Sequence, residues 1–225
     1  MALTRLDSDG RRKAIVTAAV PLFARKGFAG TTTRELAAAA GVSEALLFKH
    51  FPSKQSLYRE ILLLGCEGDP ALEQLAALQP STQTLISMIR FMVRRFVLAE
   101  ELEREELESR VRLLSHSCLE DGDYARELFA AIGPRVVPIF AASVAAAEAA
   151  GDLRPTRDDP ANRFWFAQHV AAMMAFAALP KEGCVPYRGT PERIVDEASR
   201  FILRGIGMTE AAIAAAPAPL AAAAN

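Results

Sequence analysis

The stretch from Phe23 to Leu57, FARKGFAGTTTRELAAAAGVSEALLFKHFPSKQSL, decides the fold of the first part of this chain. It predicts two short helices joined by a tight turn, with a longer helix before them. The turn falls at Gly41-Val42, between an alanine-rich run and Ser43. Two helices joined in this way form a helix-turn-helix, whose second helix can enter the major groove of DNA.

Capping residues predict where each of these helices begins and ends. Thr32 followed three residues later by Glu35 is a capping box for the second helix. Gly27 suits the left-handed position that follows the end of the first helix. Ser43 is a good N-cap for the third helix, which we expect over about Glu44 to His50.

Apolar spacing predicts which side of each helix faces the core. Apolar residues recur three and four positions apart between Arg12 and Lys26, so they form one stripe of an amphipathic helix. In the third helix, Leu47 and Phe51 are predicted to face inward. The residues left to face outward are Glu44, Ala45, Leu46, Phe48, Lys49 and His50.

This pattern resembles the amino-terminal domain of the TetR/AcrR family of bacterial transcriptional regulators. The resemblance is specific over residues 10–65 and only architectural beyond them. It implies an all-α fold, with an N-terminal three-helix helix-turn-helix DNA-binding domain followed by a helical-bundle domain for ligand binding and dimerisation. The matching residues are Phe23-Ala24, Lys26-Gly27-Phe28, Thr31-Thr32-Thr33, Leu36-Ala37, Ala40-Gly41-Val42-Ser43, Leu47-Phe48, His50-Phe51 and Ser53-Lys54.

One position departs from the family pattern. The family usually has tyrosine where this chain has Phe48, and that hydroxyl commonly contacts a backbone phosphate. Phenylalanine lacks the hydroxyl, although its ring can still pack on a sugar or a thymine methyl.

Charge is divided unevenly along the chain. The whole chain has 26 Lys and Arg against 27 Asp and Glu, a net charge of −1. Residues 1–60 hold ten basic and five acidic side chains, which leaves the remainder at a net charge of −6. A basic head on an acidic body is typical of a DNA-binding domain joined to a sensor or dimerisation domain.

The outward residues of the motif are candidates for DNA contact. Arg34 and Lys49 can reach base edges or phosphates, and arginine on guanine is the commonest specific contact. Glu44 has two interpretations: it can accept from cytosine N4, or it can complement the positive end of its own helix. Any of these positions can also be an ordinary solvated residue. The predicted DNA-binding residues are Thr33, Arg34, Ser43, Glu44, Ala45, Leu46, Phe48, Lys49, His50 and Lys54.

The remainder of the chain predicts helices with short breaks. We expect a DNA-binding domain over 1–65 with its motif at about 32–51, an effector-binding and dimerisation domain over 66–207, and an Ala/Pro-rich tail over 208–225. The tail is expected to be either disordered or a frayed helix. A long helix from about Tyr124 to Ala150 contains Pro134 and Pro138, which should kink or divide it.

The segment from Pro160 to Leu179 is apolar on more than one face. Such a helix is either central in a core or shared with a partner. The family resemblance implies the second, with the helices at about 160–179 and 191–205 packing against the same helices of another copy. A homodimer would hold two recognition helices about 34–36 Å apart, as a palindromic operator requires.

The resemblance also implies a ligand pocket in the body. Such pockets are mostly apolar, but Met and aromatic residues at helical spacing are more often plain core. The absence of a charged cluster in the apolar helices favours a hydrophobic or amphipathic effector, whose identity the sequence leaves open. The candidate lining residues are Met88, Phe91, Met92, Arg112, His116, Phe140, Trp165, His169 and Met173.

Catalytic and metal-binding patterns are not found in the sequence. It has no GxSxG, HExxH, P-loop or Rossmann motif, and His116 and Cys118 point in different directions on one helix. The three cysteines form no CxxC pair. We therefore expect neither an enzyme nor a cofactor or metal site. A helical protein that uses its head to bind another protein is the remaining alternative.

Targeting signals are not expected either. Met1 to Lys13 is polar and charged, unlike a secretory signal, and we expect no run long enough to span a membrane. These features predict a cytoplasmic protein. The whole pattern predicts a repressor that an effector releases by moving the helix from Lys54 to Gly65 as a pendulum.

Overall fold

The fold is that of a computed structural model, which describes residues 7–66, 73–75, 77–98 and 101–215. Over these residues the chain has no strand, and only an isolated bridge joins Leu153 to Met208. The predicted all-α class is confirmed. The helices are α1 Ser8–Lys26, α2 Thr33–Ala39, α3 Glu44–His50, α4 Lys54–Cys66, α5 Thr82–Val97, α6 Glu101–Leu119, α7 Asp123–Ala149, α8 Pro160–Ala178, α9 Pro191–Gly205 and α10 Glu210–Ala215.

The chain divides into two compact units, and the first contains α1 to α4. It spans residues 1–67 and also residues 108–131, which end α6 and begin α7. The sequence predicts the boundary near residue 65 but assigns residues 108–131 to the body. Apolar burial explains their place in the first unit, because Leu113 and Tyr124 belong to its core. The other fully buried large side chains of that core are Ile15, Phe23, Leu36, Phe51 and Leu57.

The second unit comprises residues 68–107 and 132–225. In it, α5 packs against both α8 and α9. Arg163 on α8 is buried and bonds the residues that precede this helix. Its guanidinium donates to Thr156 Oγ1 in the connecting segment and to Glu148 Oε1 on α7, the latter at 3.3 Å. The core residues include Leu85, Ile89, Val93, Val136, Phe140, Val144, Phe164, Ala171, Ile202 and Leu203.

Helix α7 differs from its sequence prediction in two respects. It is not divided at Pro134 or Pro138, since both lie inside one helix of 27 residues. It is also long and apolar enough to cross a membrane, so the expectation that no segment reaches that threshold needs correction. The core helix of a soluble protein meets the same criteria, and Phe140 and Val144 of α7 are fully buried in the second unit.

The start of the predicted tail is helical. Ala212 and Ile213 of α10 are buried in the core of the second unit. Arg204 at the end of α9 pairs with Glu210 at 2.6 Å. The remaining part of the predicted tail, residues 216–225, lies outside the described residues.

Candidate nucleic-acid interface

The helix-turn-helix is formed by α2, a short turn and α3. The capping box forms as the sequence predicts: Thr32 Oγ1 accepts from the Glu35 amide at 3.3 Å, and the Glu35 carboxylate accepts from the Thr32 amide at 3.0 Å. In the turn, Gly41 has a φ of 63°, and the Val42 amide donates to Ala37 O at 3.0 Å. These local bonds fix the angle at which α3 leaves α2.

The outward face of α3 is the one that the apolar period predicts. Leu47 is buried, whereas Ala45, Lys49 and the ring of Phe48 are exposed, Phe48 by 44%. Leu46 and His50 flank this face and are half-buried. Helix α3 therefore presents a mixed basic and apolar surface, next to an exposed Arg34 in α2.

A hydrogen bond links the two helices of the motif at this surface. The Thr33 hydroxyl, in the first turn of α2, donates to Glu44 Oε2 at 2.8 Å. Ser43, which precedes Glu44, is the N-cap of α3, and its hydroxyl accepts from the Leu46 amide at 3.2 Å. Each of these three predicted residues thus has a structural partner, and Ser43 and Glu44 are exposed whereas Thr33 is half-buried.

Lys54 contacts the α1–α2 loop. Its ammonium donates to Phe28 O at 2.7 Å and to Thr31 O at 3.0 Å, and it lies 4.1 Å from the centroid of the Phe28 ring. Two of its three N–H donors are therefore used within the protein, which leaves one for a phosphate.

Arg12 on α1 holds the end of α3 in place, although the sequence pattern does not single this residue out. Its Nε and Nη2 donate to the Glu60 carboxylate at 2.9 and 2.8 Å, and its Nη1 donates to His50 O at 2.7 Å. The guanidinium also lies 4.3 Å from the centroid of the Phe51 ring. The hydrogen bond from Arg12 holds the pKa of the Glu60 carboxyl below its usual value. Because 48 residues separate this pair, no local motif could predict it.

A second ion pair joins α1 to α2. Lys26 Nζ donates to Glu35 Oε1 at 2.5 Å. This bond, followed by the bonds from the amide and hydroxyl of Thr32, lowers the pKa of Glu35 to about 2. The capping carboxylate is therefore charged throughout the neutral range.

The predicted ligand-lining residues are divided between the two units. Arg112 and His116 belong to the first unit, where His116 lies beside Gly27. The other seven belong to the second unit: Met88 and Phe140 are buried in its core, Met92 and Trp165 pack against it, Phe91 is half-buried, and His169 and Met173 are exposed. Helical spacing predicts a shared face on one helix, but it cannot show that α6 contributes to both units.

Exposed apolar residues form a stripe on α8. Phe166, Val170 and Met173 lie three or four positions apart, and Phe166 and Met173 are exposed by 67% and 63%. On α9, Phe201 is exposed by 66%. These are large apolar side chains on the two helices that the family resemblance assigns to dimerisation.

A capped pair of short helices joined by a tight turn, with a basic exposed face, is a helix-turn-helix motif, the arrangement with which many proteins enter the major groove of DNA. The sequence model described as "Bacterial regulatory proteins, tetR family" matches residues 15–61. Residues 15–61 are therefore similar to the segment that this family of regulators shares.

Curated relatives match between about a quarter and about half of the chain. The transcriptional repressor KstR2 of Rhodococcus jostii is 44% identical over 54 residues, 24% of this chain and 26% of that protein. The regulator RutR of Escherichia coli K12 gives the same identity and coverage. The regulator AcrR of Shigella flexneri is 28% identical over 124 residues, 54% of this chain and 56% of its own length. The chain thus spans about a quarter of the length of the first curated relatives it matches.

Solved structures are similar over most of the chain. A tetR-family regulatory protein from Rhodococcus RHA1 superposes with a TM-score of 0.65 at 21% identity, covering 89% of this chain and 98% of that one. AibR in complex with isovaleryl coenzyme A and operator DNA gives 0.64 at 20% identity, covering 85% and 97%. At these identities the likeness shows a shared fold.

Proposed function

We propose that the chain is a sequence-specific DNA-binding transcriptional repressor. The observation that carries this proposal is the capped α2–turn–α3 motif, whose outer face holds Arg34, Phe48 and Lys49. Several relatives are described as transcriptional repressors or regulators, which supports the same role. Binding of double-stranded DNA would take place in the cytoplasm. The proposed DNA contacts are those predicted from the sequence, with Lys54 acting through the one N–H donor that the loop does not use.

We further propose that the functional unit is a homodimer through α8 and α9. The exposed stripe on α8 supports this proposal, because three large apolar side chains in water cost free energy that a partner surface would remove. Dimerisation also provides two recognition helices for the two halves of a palindrome.

The effector is proposed to bind in the second unit. Met88, Met92, Phe140 and Trp165 there are apolar and belong to or pack on the core of α5, α7 and α8, which suits a small hydrophobic or amphipathic molecule. AibR, a structure of the same fold, is described with an acyl coenzyme A. Trp165 is the single tryptophan of the chain, so its fluorescence reports on ligand binding.

Release of DNA is proposed to pass through α4. In the first unit, Arg59 on α4 pairs with Glu127 on α7 at 2.8 Å, and the rings of Tyr58 and Tyr124 lie 5.4 Å apart. A shift of the first turns of α7 would therefore move α4, and with it the recognition helix. Effector-saturated protein should bind its operator more weakly, and unchanged affinity would exclude this route.

The function is tested by fluorescence anisotropy with duplexes tiled across the DNA upstream of the gene for this protein, at two salt concentrations. Tight binding to one tile that survives competitor DNA is the expected result. Weak binding that is equal on all tiles and disappears with salt would contradict a sequence-specific role, because phosphate contacts alone behave in this way.

A further inference from the structure

The surface that α2 and α3 present outward includes one acidic side chain at the start of α3. Glu44 is exposed, and among the described residues its carboxylate has no Lys, Arg or His partner. Its hydrogen bond from the Thr33 hydroxyl uses Oε2, and Oε1 accepts no bond from the part of the chain that the structure describes. The carboxylate is therefore held in place with one oxygen open to solvent.

An uncompensated carboxylate is unfavourable on a surface that approaches DNA. Two like charges about 4 Å apart repel by about 1 kcal/mol even in bulk water, and more where water is displaced. In the major groove the repulsion by phosphates is offset only where a base donates a hydrogen bond. Cytosine N4 and adenine N6 both donate in the major groove, but adenine also presents its N7 acceptor beside N6, which repels a carboxylate. Aspartate and glutamate therefore accept from cytosine N4.

We propose that Glu44 sets the sequence specificity of this protein, by accepting from a cytosine N4 and by weakening binding to every site that lacks a cytosine at that position. The proposal rests on the DNA-binding function proposed above. Glu44 thereby separates the operator from other DNA in two ways, because it strengthens one interaction and opposes all others.

Thr33 is the positioning residue for this contact. The β-branched side chain of Thr33 has few rotamers, and its hydroxyl donates to Glu44 Oε2 at 2.8 Å. This bond restrains the orientation of the Glu44 carboxylate and therefore of its free Oε1. The bond joins α2 to α3, which means that the carboxylate is aligned with the whole motif and not only with its own helix.

Phe48 extends the recognised sequence. It lies four residues after Glu44, on the same side of α3, and its exposed ring has no hydrogen-bond donor. Four residues of helix rise about 6 Å, which is close to two base-pair steps of about 3.4 Å. An apolar ring there favours a thymine methyl. Each half-site should therefore contain a cytosine with a thymine within about two base pairs.

The proposal is tested by selection from a random duplex library, using the purified full chain and three variants. The wild type should enrich a palindrome with cytosine at one position of each half-site. Glu44→Gln should change that preference to adenine, since glutamine pairs with adenine N6 and N7. Glu44→Ala should lose about tenfold discrimination at that position alone and bind random DNA severalfold more tightly. Thr33→Val should weaken the same preference by a smaller factor.

A matched control is Glu182→Gln, which removes one exposed carboxylate from the second unit. It should leave the enriched sequence and the affinity for random DNA unchanged, and circular dichroism should show equal helix content in all variants. If Glu44→Ala enriches the wild-type sequence with equal discrimination, the proposal for Glu44 is wrong while the DNA-binding function stands. If the wild type enriches no sequence, the proposed function itself fails.

Discussion

Arg12 joins three helices of the first unit through one planar group. Its guanidinium bonds the Glu60 carboxylate on α4 at two points and the carbonyl oxygen of His50, the last residue of α3. A positive charge at the carboxyl end of a helix is also stabilising, because it interacts favourably with the negative end of the helix dipole. The recognition helix is thus fixed from behind by a residue that is not predicted to contact DNA.

We predict that Arg12→Ala lowers the free energy of unfolding by about 1–2 kcal/mol, because charged hydrogen bonds contribute more than neutral ones but this pair is partly exposed. Arg12→Lys should recover little of this, since an ammonium lacks the planar fork. Urea unfolding followed by circular dichroism measures both. Arg11→Ala is the control, because the Arg11 side chain has no partner among the described residues; equal effects of Arg11→Ala and Arg12→Ala would contradict the prediction.

Gly27 is a position where the backbone requires glycine. Its φ of 69° and ψ of 178° lie in a region that only glycine adopts readily. A methyl carbon at this position would lie 2.5 Å from Glu120 Oε1 and 3.0 Å from His116 Nδ1. The exposed Glu120 side chain can move aside, so the backbone conformation carries most of the cost and the nearby His116 ring adds to it.

We predict that Gly27→Ala destabilises the protein by about 2–3 kcal/mol. Gly41 provides the comparison, because its φ of 63° is also positive but a methyl group there would meet nothing within 4 Å. Gly41→Ala should cost about 1 kcal/mol, from the backbone alone. Thermal unfolding of the two variants tests this order, and an equal or larger loss of stability for Gly41→Ala would contradict the prediction.

At the scale of the helix, the start of α2 depends on the charge of Glu35. Its pKa is lowered from 4.5 to about 2 by Lys26 and by Thr32, so the folded state favours the ionised carboxylate. A depressed folded pKa means that the stabilisation is complete above 4.5 and is lost as the pH falls towards 2.

We predict that wild-type protein is more stable than Glu35→Gln at neutral pH, and that the difference closes between pH 4.5 and about pH 2. The urea midpoints of both proteins across this pH range give the difference in their stability. Groups other than Glu35 titrate in both proteins, so their contribution cancels in this difference. Asp9→Asn, at an exposed acid in the first turn of α1, serves as the comparison for loss of one charge. A gap between wild type and Glu35→Gln that does not change with pH would contradict the assigned role of the ion pair.

Helix α3 carries the departure from the family pattern at Phe48. We predict that Phe48→Tyr strengthens operator binding about threefold to tenfold, because the added hydroxyl can donate to a phosphate. A phosphate contact does not depend on the base sequence. The ratio of operator affinity to shuffled-duplex affinity should therefore be the same for Phe48→Tyr and the wild type. Anisotropy titrations with both duplexes give this ratio. The ring can keep its contact with a thymine methyl while the added hydroxyl reaches a phosphate. A weaker complex, or a changed ratio, would contradict the prediction, because the hydroxyl would then disturb the contact of the ring instead of adding a phosphate bond.

Some helices were easier to predict from the sequence than others, and the reason is local chemistry. The ends of α2 and α3 follow from Thr32, Glu35 and Ser43, whose side chains bond backbone groups within three residues. Proline is a weaker guide inside α7, because burial of residues such as Phe140 can keep a helix continuous where the local signal favours a break. Similarly, composition predicted a loose tail, but two buried side chains hold α10 against the core.

For the whole molecule, the sequence predicts which side of α3 faces outward, but it does not predict which helices come together around a ligand site. The residues of the face are neighbours in the chain, so a period of 3.6 residues is enough to sort them. Candidate ligand residues come from four helices, and no pattern in one helix shows which other helix it faces. Residues 108–131 illustrate this limit, since it is their packing in the three-dimensional structure, such as that of Tyr124 against Tyr58, that assigns them to the first unit.

The apolar stripe on α8 leads to a prediction about assembly. In a two-fold symmetric interface each residue is buried twice, once on each copy. Full burial of a phenylalanine contributes about 1.5–3 kcal/mol, so Phe166 alone would contribute roughly double that to a dimer. Phe166→Glu should therefore convert a dimer into a single 24.3 kDa chain and remove tight binding to a palindromic duplex.

Light scattering during size-exclusion chromatography measures the mass of the wild type and of Phe166→Glu. Anisotropy with full-site and half-site duplexes measures the loss of tight binding to the palindrome. Leu119→Glu is the matched control, because Leu119 is 84% exposed but lies in the first unit, away from α8 in the chain. It should leave the dimer intact. A wild-type protein that stays monomeric at micromolar concentration would instead favour α8 as a helix of a monomer's core. The proposal of a palindromic operator would then fail as well, because a single recognition helix recognises only one half-site.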